Sequence, residues 1–188
     1  MRLSRFFTAA ERRAVHLRAE LGLAPHDPLD MHAVADHLRL KVISASSLVE
    51  LERLEELERL QAFAFSAVTF EISGKKFIVT NPLRAGGRVA SDLAHEISHI
   101  LLEHQLSEIT EFEGVPFRTC LPAEEEQATA LGGTLLLPRP LLIRAASRKM
   151  GIEEIADHYS VTIEMARFRY NSTEWQSNSA AGPKQVFE

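Results

Sequence analysis

The chain has 188 residues, of which 45% are hydrophobic and 25% charged, enough for one globular unit with a substantial core. Its 21 basic and 26 acidic residues give a net charge of −5, which argues against nucleic-acid or membrane-surface binding driven by electrostatics. No segment has the length and apolar character of a membrane span or a signal peptide. The single cysteine, Cys120, excludes an intrachain disulfide and is interpreted as an inert loop thiol, so a cytoplasmic location is expected.

The first third of the chain predicts three helices and one strand. Thr8 and Glu11 have the pattern of a capping box for a helix that ends near Gly22, and Asp30 can cap a second helix. The β-branched segment "KVISAS" follows as a strand. Then "SLVELERLEELERL" carries a leucine at every third position, with Ser47 as a predicted cap. A short coiled coil and a surface helix with one buried stripe both fit, and the surface helix is favoured because the segment spans only about two heptads.

Two later segments are read from their periodicity. "FAFSAVTFEISGKKFIVTN" alternates apolar and polar residues around the turn signal Ser73-Gly74-Lys75, which predicts a β-hairpin. By contrast, "SEITEFEGVPFRTCLP" shows no firm periodicity and is predicted to be an exposed loop.

A helix that carries two histidines is the clearest chemical signal. In "ASDLAHEISHILLEH", His95 and His99 are four residues apart, so both project from one side of a helix and can hold one zinc ion. Glu96 is rotated by about 100° from His95, where it can act as a general base without binding the ion. This spacing is the HExxH pattern of zinc hydrolases. The alternative is a core helix that carries histidines by chance. His104 is interpreted as a helix-end histidine outside the site, since the metzincin pattern is absent.

A second helix offers a carboxylate. In "PAEEEQATALGGTLLLP", Pro122 suits a helix start, and three glutamates suit the N-terminal dipole, at positions 124, 125 and 126. Small residues downstream, including Gly132 and Gly133, predict close approach to another element, plausibly the histidine helix. Glu125 belongs to that neighbourhood, and Thr129 is placed to hydrogen-bond a ligand. The alternative is that the glutamates are only surface charges.

Together, "HEISHILLEH" and "EEQATALGGTLLLP" resemble the ImmA/IrrE family of metallo-endopeptidases, and the resemblance extends over most of the chain. The second motif of that family has the form E-x-E-A-N-x-F-A-x-x-L-L-x-P. Aligned on Pro138, its first glutamate, the third zinc ligand of the family, falls on Glu125. Three departures change the surroundings of the ligands and leave the ligands in place: Gln127, Thr129, and Leu131 with Gly132.

The resemblance implies an α+β fold. A zincin-like metallopeptidase core, with a small antiparallel or mixed sheet against helices, is expected over residues 1–138. Residues 139–173 are expected to form a helical, helix-turn-helix-like extension packed on that core, followed by a flexible tail over 174–188. Between Arg139 and Tyr170 there are 6 basic and 4 acidic residues, so direct DNA contact by the extension is the less favoured alternative.

The resemblance also implies a chemistry. His95, His99 and Glu125 would hold Zn²⁺, and Glu96 would activate water, in a cytoplasmic endopeptidase. A helix-turn-helix transcriptional repressor is the expected substrate, and its cleavage would switch on phage, mobile-element or stress genes. An edge strand, either "FAFSAVTFEIS" or "KKFIVT", would pair with the substrate. Residue type alone suggests Tyr159, His158 and Arg169 as oxyanion donors. The alternative function is a non-proteolytic module that binds a transcription regulator or DNA.

Overall fold

The computed structural model of the chain describes residues 3–61, 65–84, 86–104, 109–112, 115–118 and 121–179. Within these ranges the chain forms eight α-helices and five strands, so the predicted α+β class is confirmed. The helices are α1 (Leu3–Glu20), α2 (Met31–His37), α3 (Leu51–Leu60), α4 (Gly86–Leu101), α5 (Pro122–Leu136), α6 (Arg139–Ser147), α7 (Ile152–His158) and α8 (Ile163–Ser179). The strands are β1 (Lys41–Ser44), β2 (Ala67–Ile72), β3 (Lys75–Thr80), β4 (Ile109–Phe112) and β5 (Val115–Arg118).

Three strands form a small mixed sheet in the order β1–β3–β2. β2 and β3 are the predicted hairpin, and they are antiparallel, with Thr69 opposite Ile78. The turn residues Ser73 and Gly74 have φ angles of 52° and 73°, which is the backbone that a tight two-residue hairpin requires. β1 pairs with the other side of β3 in parallel. β3 is therefore the central strand, and β2 has one edge that pairs with no described strand.

Several local predictions were wrong. α1 begins at Leu3, so Thr8 and Glu11 lie inside the helix, because the helix continues upstream to bury Phe6 in the core. Ser47 lies in a 3-10 turn, and the residue that precedes α3 is Glu50, whose side chain makes no capping bond. By contrast, the Asp30 side chain accepts a hydrogen bond at the start of α2, as predicted.

The segment predicted to be an exposed loop contains strands β4 and β5, which pair with each other in antiparallel fashion. Each has only four residues, too few for alternation to register as a signal. The described ranges leave out residues 113–114 and 119–120, so the prediction for Cys120 lies outside the described residues.

The predicted buried stripe of α3 is a single leucine. Leu54 packs with Val79 of β3 and Ala45 in a small cluster on the outer face of the sheet. Leu51, Leu57 and Leu60 are exposed. A periodic row of leucines indicates that a helix has an apolar face. Burial of that face depends on the elements that pack against it, and most of the apolar face of α3 stays exposed.

The main core joins α1, α4, α5 and one face of the sheet, and it includes Ala14, Ile78, Leu93, Ile97 and Leu131. α4 and α5 approach closely at a glycine, as predicted. A β-carbon built on Gly132 would lie 3.1 Å from the backbone of Ala94 and His95. Gly133 instead faces Met165 and Arg169 of α8, so only one of the two glycines serves the contact with the histidine helix.

Two buried arginines hold the end of α5. Arg18 donates to the carbonyl of Leu136 at 3.3 Å, and Arg169 donates to the carbonyl of Leu137 at 3.0 Å. The last carbonyls of a helix need such partners when the helix ends inside the protein. Arg169 also binds the Glu11 carboxylate at 2.5 Å, which ties α8 to α1. Burial lowers the pKa of Arg18 to about 10, with the charges of Glu11 and Asp27 acting in the opposite direction, so the guanidinium stays charged at neutral pH.

The helices after α5 also reach the core. Ile155, Ala156, Val161 and Ala166 are buried in the main cluster. Between α7 and α8, Thr162 Oγ1 accepts a hydrogen bond from the backbone N–H of Met165 at 3.1 Å, which caps the start of α8. The division of the chain at residues 138 and 173 stays a prediction.

In the described part of the chain, no helix has the length and apolar character needed to cross a membrane.

Candidate metal centre

Two histidines of α4 and one glutamate of α5 bring their ligand atoms together. His95 Nε2 lies 3.0 Å from His99 Nε2 and 3.2 Å from Glu125 Oε2. His99 Nε2 lies 3.4 Å from Glu125 Oε1. Ligands at about 2.0–2.1 Å from a tetrahedral zinc ion stand about 3.3–3.4 Å from one another. The spacing of this donor set therefore fits a small divalent cation.

The position of each donor follows from the packing of two helices. His95 and His99 are one turn apart on α4, and Glu125 lies in the first turn of α5. Gly132 lets the two helices meet backbone to backbone two turns further along α5. Among the described residues, these three form the cluster of histidine and carboxylate side chains whose ligand atoms all lie within 4.8 Å of one another.

The protonation of His99 suits a ligand. Burial lowers the pKa of His99, and the charge of His95 acts in the same direction, while Glu125 and Glu96 act against it. A histidine binds a metal ion through a neutral imidazole nitrogen. At neutral pH, the environment therefore favours the form of His99 that can bind an ion.

Glu96 is held by a strand residue that the sequence analysis missed. Thr69 Oγ1 donates a hydrogen bond of 2.5 Å to Glu96 Oε2, and both side chains are buried. Thr69 lies on β2, and its side chain faces α4. A signal was present in the sequence: the alternation of the hairpin places Thr69 on the same strand face as Ala67, which is buried, and a hydroxyl on a buried face needs a partner.

The other ring nitrogen of each histidine also has a neighbour. Thr129 Oγ1 lies 3.4 Å from His95 Nδ1, so the structure places Thr129 where it was expected. His104 Nδ1 lies 3.0 Å from His99 Nδ1. His104 follows the end of α4 and is not one of the three donors, as predicted. The contact of its ring with His99 was not predicted, and it arises because the chain reverses direction after α4.

A cavity of about 440 Å³ opens beside the donor set, between α4, α5 and the start of α8. His95 and Thr129 line one side, and Met165 and Phe168 line another. Asp92, also in its wall, is bound by Arg88 at 3.0 Å, and burial raises the pKa of its carboxyl group. A larger cavity of about 650 Å³ lies between α1, α2 and the end of α4, and it contains none of the donor residues.

The oxyanion candidates named from residue type do not line the cavity beside His95. Arg169 is buried and binds Glu11 and the Leu137 carbonyl. Tyr159 packs against the main core, and His158 is exposed. Residue type could not exclude them, because burial and direction depend on the tertiary fold.

Comparison with known proteins agrees with this geometry. The model of the peptidase M78 family, described as the IrrE N-terminal-like domain, matches residues 51–171. That segment is more than half of the chain, and it contains the hairpin, the histidine helix and Glu125. No curated protein matches the chain. The chain therefore belongs to the IrrE N-terminal-like family of metallopeptidases, the ImmA/IrrE family that its two motifs resemble.

Proposed function

We propose that this protein is a zinc-dependent endopeptidase whose substrate is a helix-turn-helix transcriptional repressor. Membership of a metallopeptidase family supports the class of reaction. The observation that carries the proposal is the donor set of His95, His99 and Glu125, with a buried glutamate directly after the first histidine. In this proposal cleavage of the repressor switches on phage, mobile-element or stress genes.

The chemistry of the donors favours zinc. Two imidazole nitrogens and one carboxylate are the ligands of many catalytic zinc sites, which leave a fourth position open. A zinc ion bound there supplies Lewis-acid chemistry, polarising a carbonyl oxygen and making water more acidic. Thr129 is proposed to hold His95 through its Nδ1 atom, so that Nε2 faces the ion.

Glu96 is proposed as the general base. It follows His95 on the helix, so it lies beside the donor set without being part of it. Its Oε2 atom accepts the hydrogen bond from Thr69, which fixes the direction of the carboxylate. Oε1 is then assigned to take a proton from the attacking water and to deliver it to the leaving amine.

β2 is assigned as the strand that pairs with the substrate. Of the two segments considered from sequence, β3 has strands on both sides, whereas β2 lies at the edge of the sheet. An extended peptide can add to such an edge through backbone hydrogen bonds. Because Thr69 belongs to β2, the strand that would receive the substrate also holds the proposed base.

Replacing Thr69 tests that assignment. In Thr69→Val the side chain keeps its shape and loses the hydroxyl. The carboxylate of Glu96 therefore loses the hydrogen bond that Thr69 donates to it. We expect kcat to fall by about 10- to 100-fold, with KM and zinc content unchanged. Steady-state kinetics on the cleaved substrate measure this. Thr69→Ser keeps the hydroxyl and serves as the matched control, and a Thr69→Val enzyme with wild-type kcat would show that the contact is only structural.

The charge of the protein supports a basic protein partner rather than DNA. Its net charge of −5 repels phosphate and attracts the basic surface with which a repressor binds DNA. The helical segment after residue 138 is proposed as a structural extension, since buried residues of α7 and α8 join the main core. We propose that this extension resembles a helix-turn-helix motif and packs on the core.

The proposal is tested on the purified protein with any helix-turn-helix repressor that a neighbouring gene encodes. After expression in zinc-replete medium, we expect about one zinc ion per chain, measured by elemental analysis. Incubation should convert the repressor into two fragments, and a chelator should prevent this. A zinc content near zero would remove the premise, while zinc without cleavage would reject this substrate.

A further inference from the structure

A chain of ring and amide contacts runs behind the proposed metal centre. His99 Nδ1 lies 3.0 Å from His104 Nδ1, and His104 Nε2 lies 3.4 Å from Gln127 Oε1. We propose that His104 is a positioning residue that accepts a hydrogen bond from His99 and thereby keeps His99 Nε2 directed at the ion. This inference rests on the proposed function, because it gives His104 a role only if His99 binds a metal.

The end of α4 explains how His104 reaches His99. The backbone N–H of His104 donates to the carbonyl of His99 at 3.0 Å, and that of Glu103 donates to the carbonyl of Ile100 at 3.2 Å. This pair of bonds is a Schellman motif, in which the chain reverses through a residue in the left-handed region. Glu103 is that residue, with a φ of 56°. The reversal returns the His104 ring to the last turn of α4, beside the ring of His99.

The direction of each hydrogen bond follows from the proposed ligand atom. If Nε2 of His99 binds the ion, its proton is on Nδ1, and that N–H donates. His104 Nδ1 must then accept, so the proton of His104 is on Nε2. That N–H points to Gln127 Oε1, an amide oxygen that can only accept. The three side chains therefore specify one consistent arrangement of protons.

The contacts also join the two helices that supply the ligands. His99 is on α4, and Gln127 is on α5, two residues after Glu125. A partner on the second nitrogen of a metal-binding histidine fixes the tautomer and the direction of the ring. His104 and Gln127 would do this for His99 as Thr129 does for His95, so each histidine has a support of its own.

The test compares zinc affinity in three proteins: wild type, His104→Leu and His104→Asn. Leucine fills the space without an acceptor, whereas the asparagine Oδ1 can take the place of Nδ1. We expect His104→Leu to bind Zn²⁺ about 10- to 100-fold more weakly, in competition with a chromophoric chelator. His104→Asn should recover most of that loss. The visible absorption of the Co²⁺ form should change in His104→Leu and be close to wild type in His104→Asn.

His16→Leu is the matched control, because His16 is a highly exposed histidine of α1 that lies outside the donor set. Circular dichroism of the metal-free proteins shows whether each variant is folded. If folded His104→Leu binds zinc as tightly as wild type, or if His104→Asn is as weak as His104→Leu, the positioning role is refuted. Failure of the wild type itself to bind zinc would instead refute the proposed function.

Discussion

Glu96→Gln should retain zinc and lower the rate of repressor cleavage by about 10²- to 10⁴-fold. Glutamine has nearly the shape of glutamate, and its amide oxygen can still accept the hydrogen bond from Thr69. It cannot take a proton at neutral pH, so the proposed transfer from water is lost. Because Glu96 is not one of the three donors, zinc content should stay at the wild-type value. Initial cleavage rates and elemental analysis of the same sample measure both outcomes.

Glu126→Gln is the control for this experiment. It makes the same chemical change at an exposed residue of α5, next to the proposed ligand Glu125, and should leave cleavage close to wild type. If Glu96→Gln still cleaved the repressor, the assignment of the base would be wrong. If it failed to cleave and yet still switched on the controlled genes in cells, the protein would act as a non-proteolytic zincin-like module.

Glu11→Ala should lower the free energy of unfolding by about 3–5 kcal/mol. One oxygen of the Glu11 carboxylate binds Arg169, whose side chain is 1% exposed, and the other accepts a hydrogen bond from the backbone N–H of Arg139 at 2.9 Å. Burial lowers the pKa of Arg169, while Glu11 acts in the opposite direction. Removing the carboxylate takes a negative charge away from a buried positive one, which costs far more than an exposed ion pair would.

Urea unfolding of the metal-free protein measures this loss. Glu20→Ala is the control on the same helix, because the Glu20 side chain is 42% exposed and forms ion pairs with His16 and His37. An exposed pair of this kind contributes about 0–1 kcal/mol. If Glu11→Ala were as stable as Glu20→Ala, the contact between α1 and α8 would not hold the fold together.

The part of the site that was predictable is the part set by local geometry. His95, Glu96 and His99 lie on one helix, and helical spacing alone fixes their relative directions. Glu125 was predicted to be a ligand only through the family motif, because the sequence of a single helix does not determine its distance from another helix. The structure brings these predicted residues together, and their roles stay proposals.

Two neighbours of the site were not predicted, for different physical reasons. Thr69 meets Glu96 only because β2 packs against α4, a contact between residues 27 positions apart. His104 meets His99 because Glu103 adopts a left-handed conformation. In sequences, a left-handed residue at the end of a helix is usually predicted from a glycine, and a glutamate at that position gives no such indication.

For the fold, strong alternation was sufficient to predict strands, but periodicity was not sufficient to predict which residues are buried. The hairpin of β2 and β3 was predicted because alternation and turn residues agree. The leucines of α3 were predicted to form a buried stripe, yet only Leu54 is covered. A sequence pattern describes one surface of an element, whereas burial needs the opposing surface as well.

The contact at Gly132 has a consequence for how an ion would bind at the proposed site. Where backbone meets backbone there are no side-chain rotamers to rearrange, so the spacing of α4 and α5, the two helices that carry the donors, is set by the folded chain. An ion at the proposed site would then bind between helices that already pack together, unlike the ion of small zinc modules, which fold only around it. An ion that binds only the folded chain would add to its stability, and the contact between α4 and α5 would remain when the ion is removed.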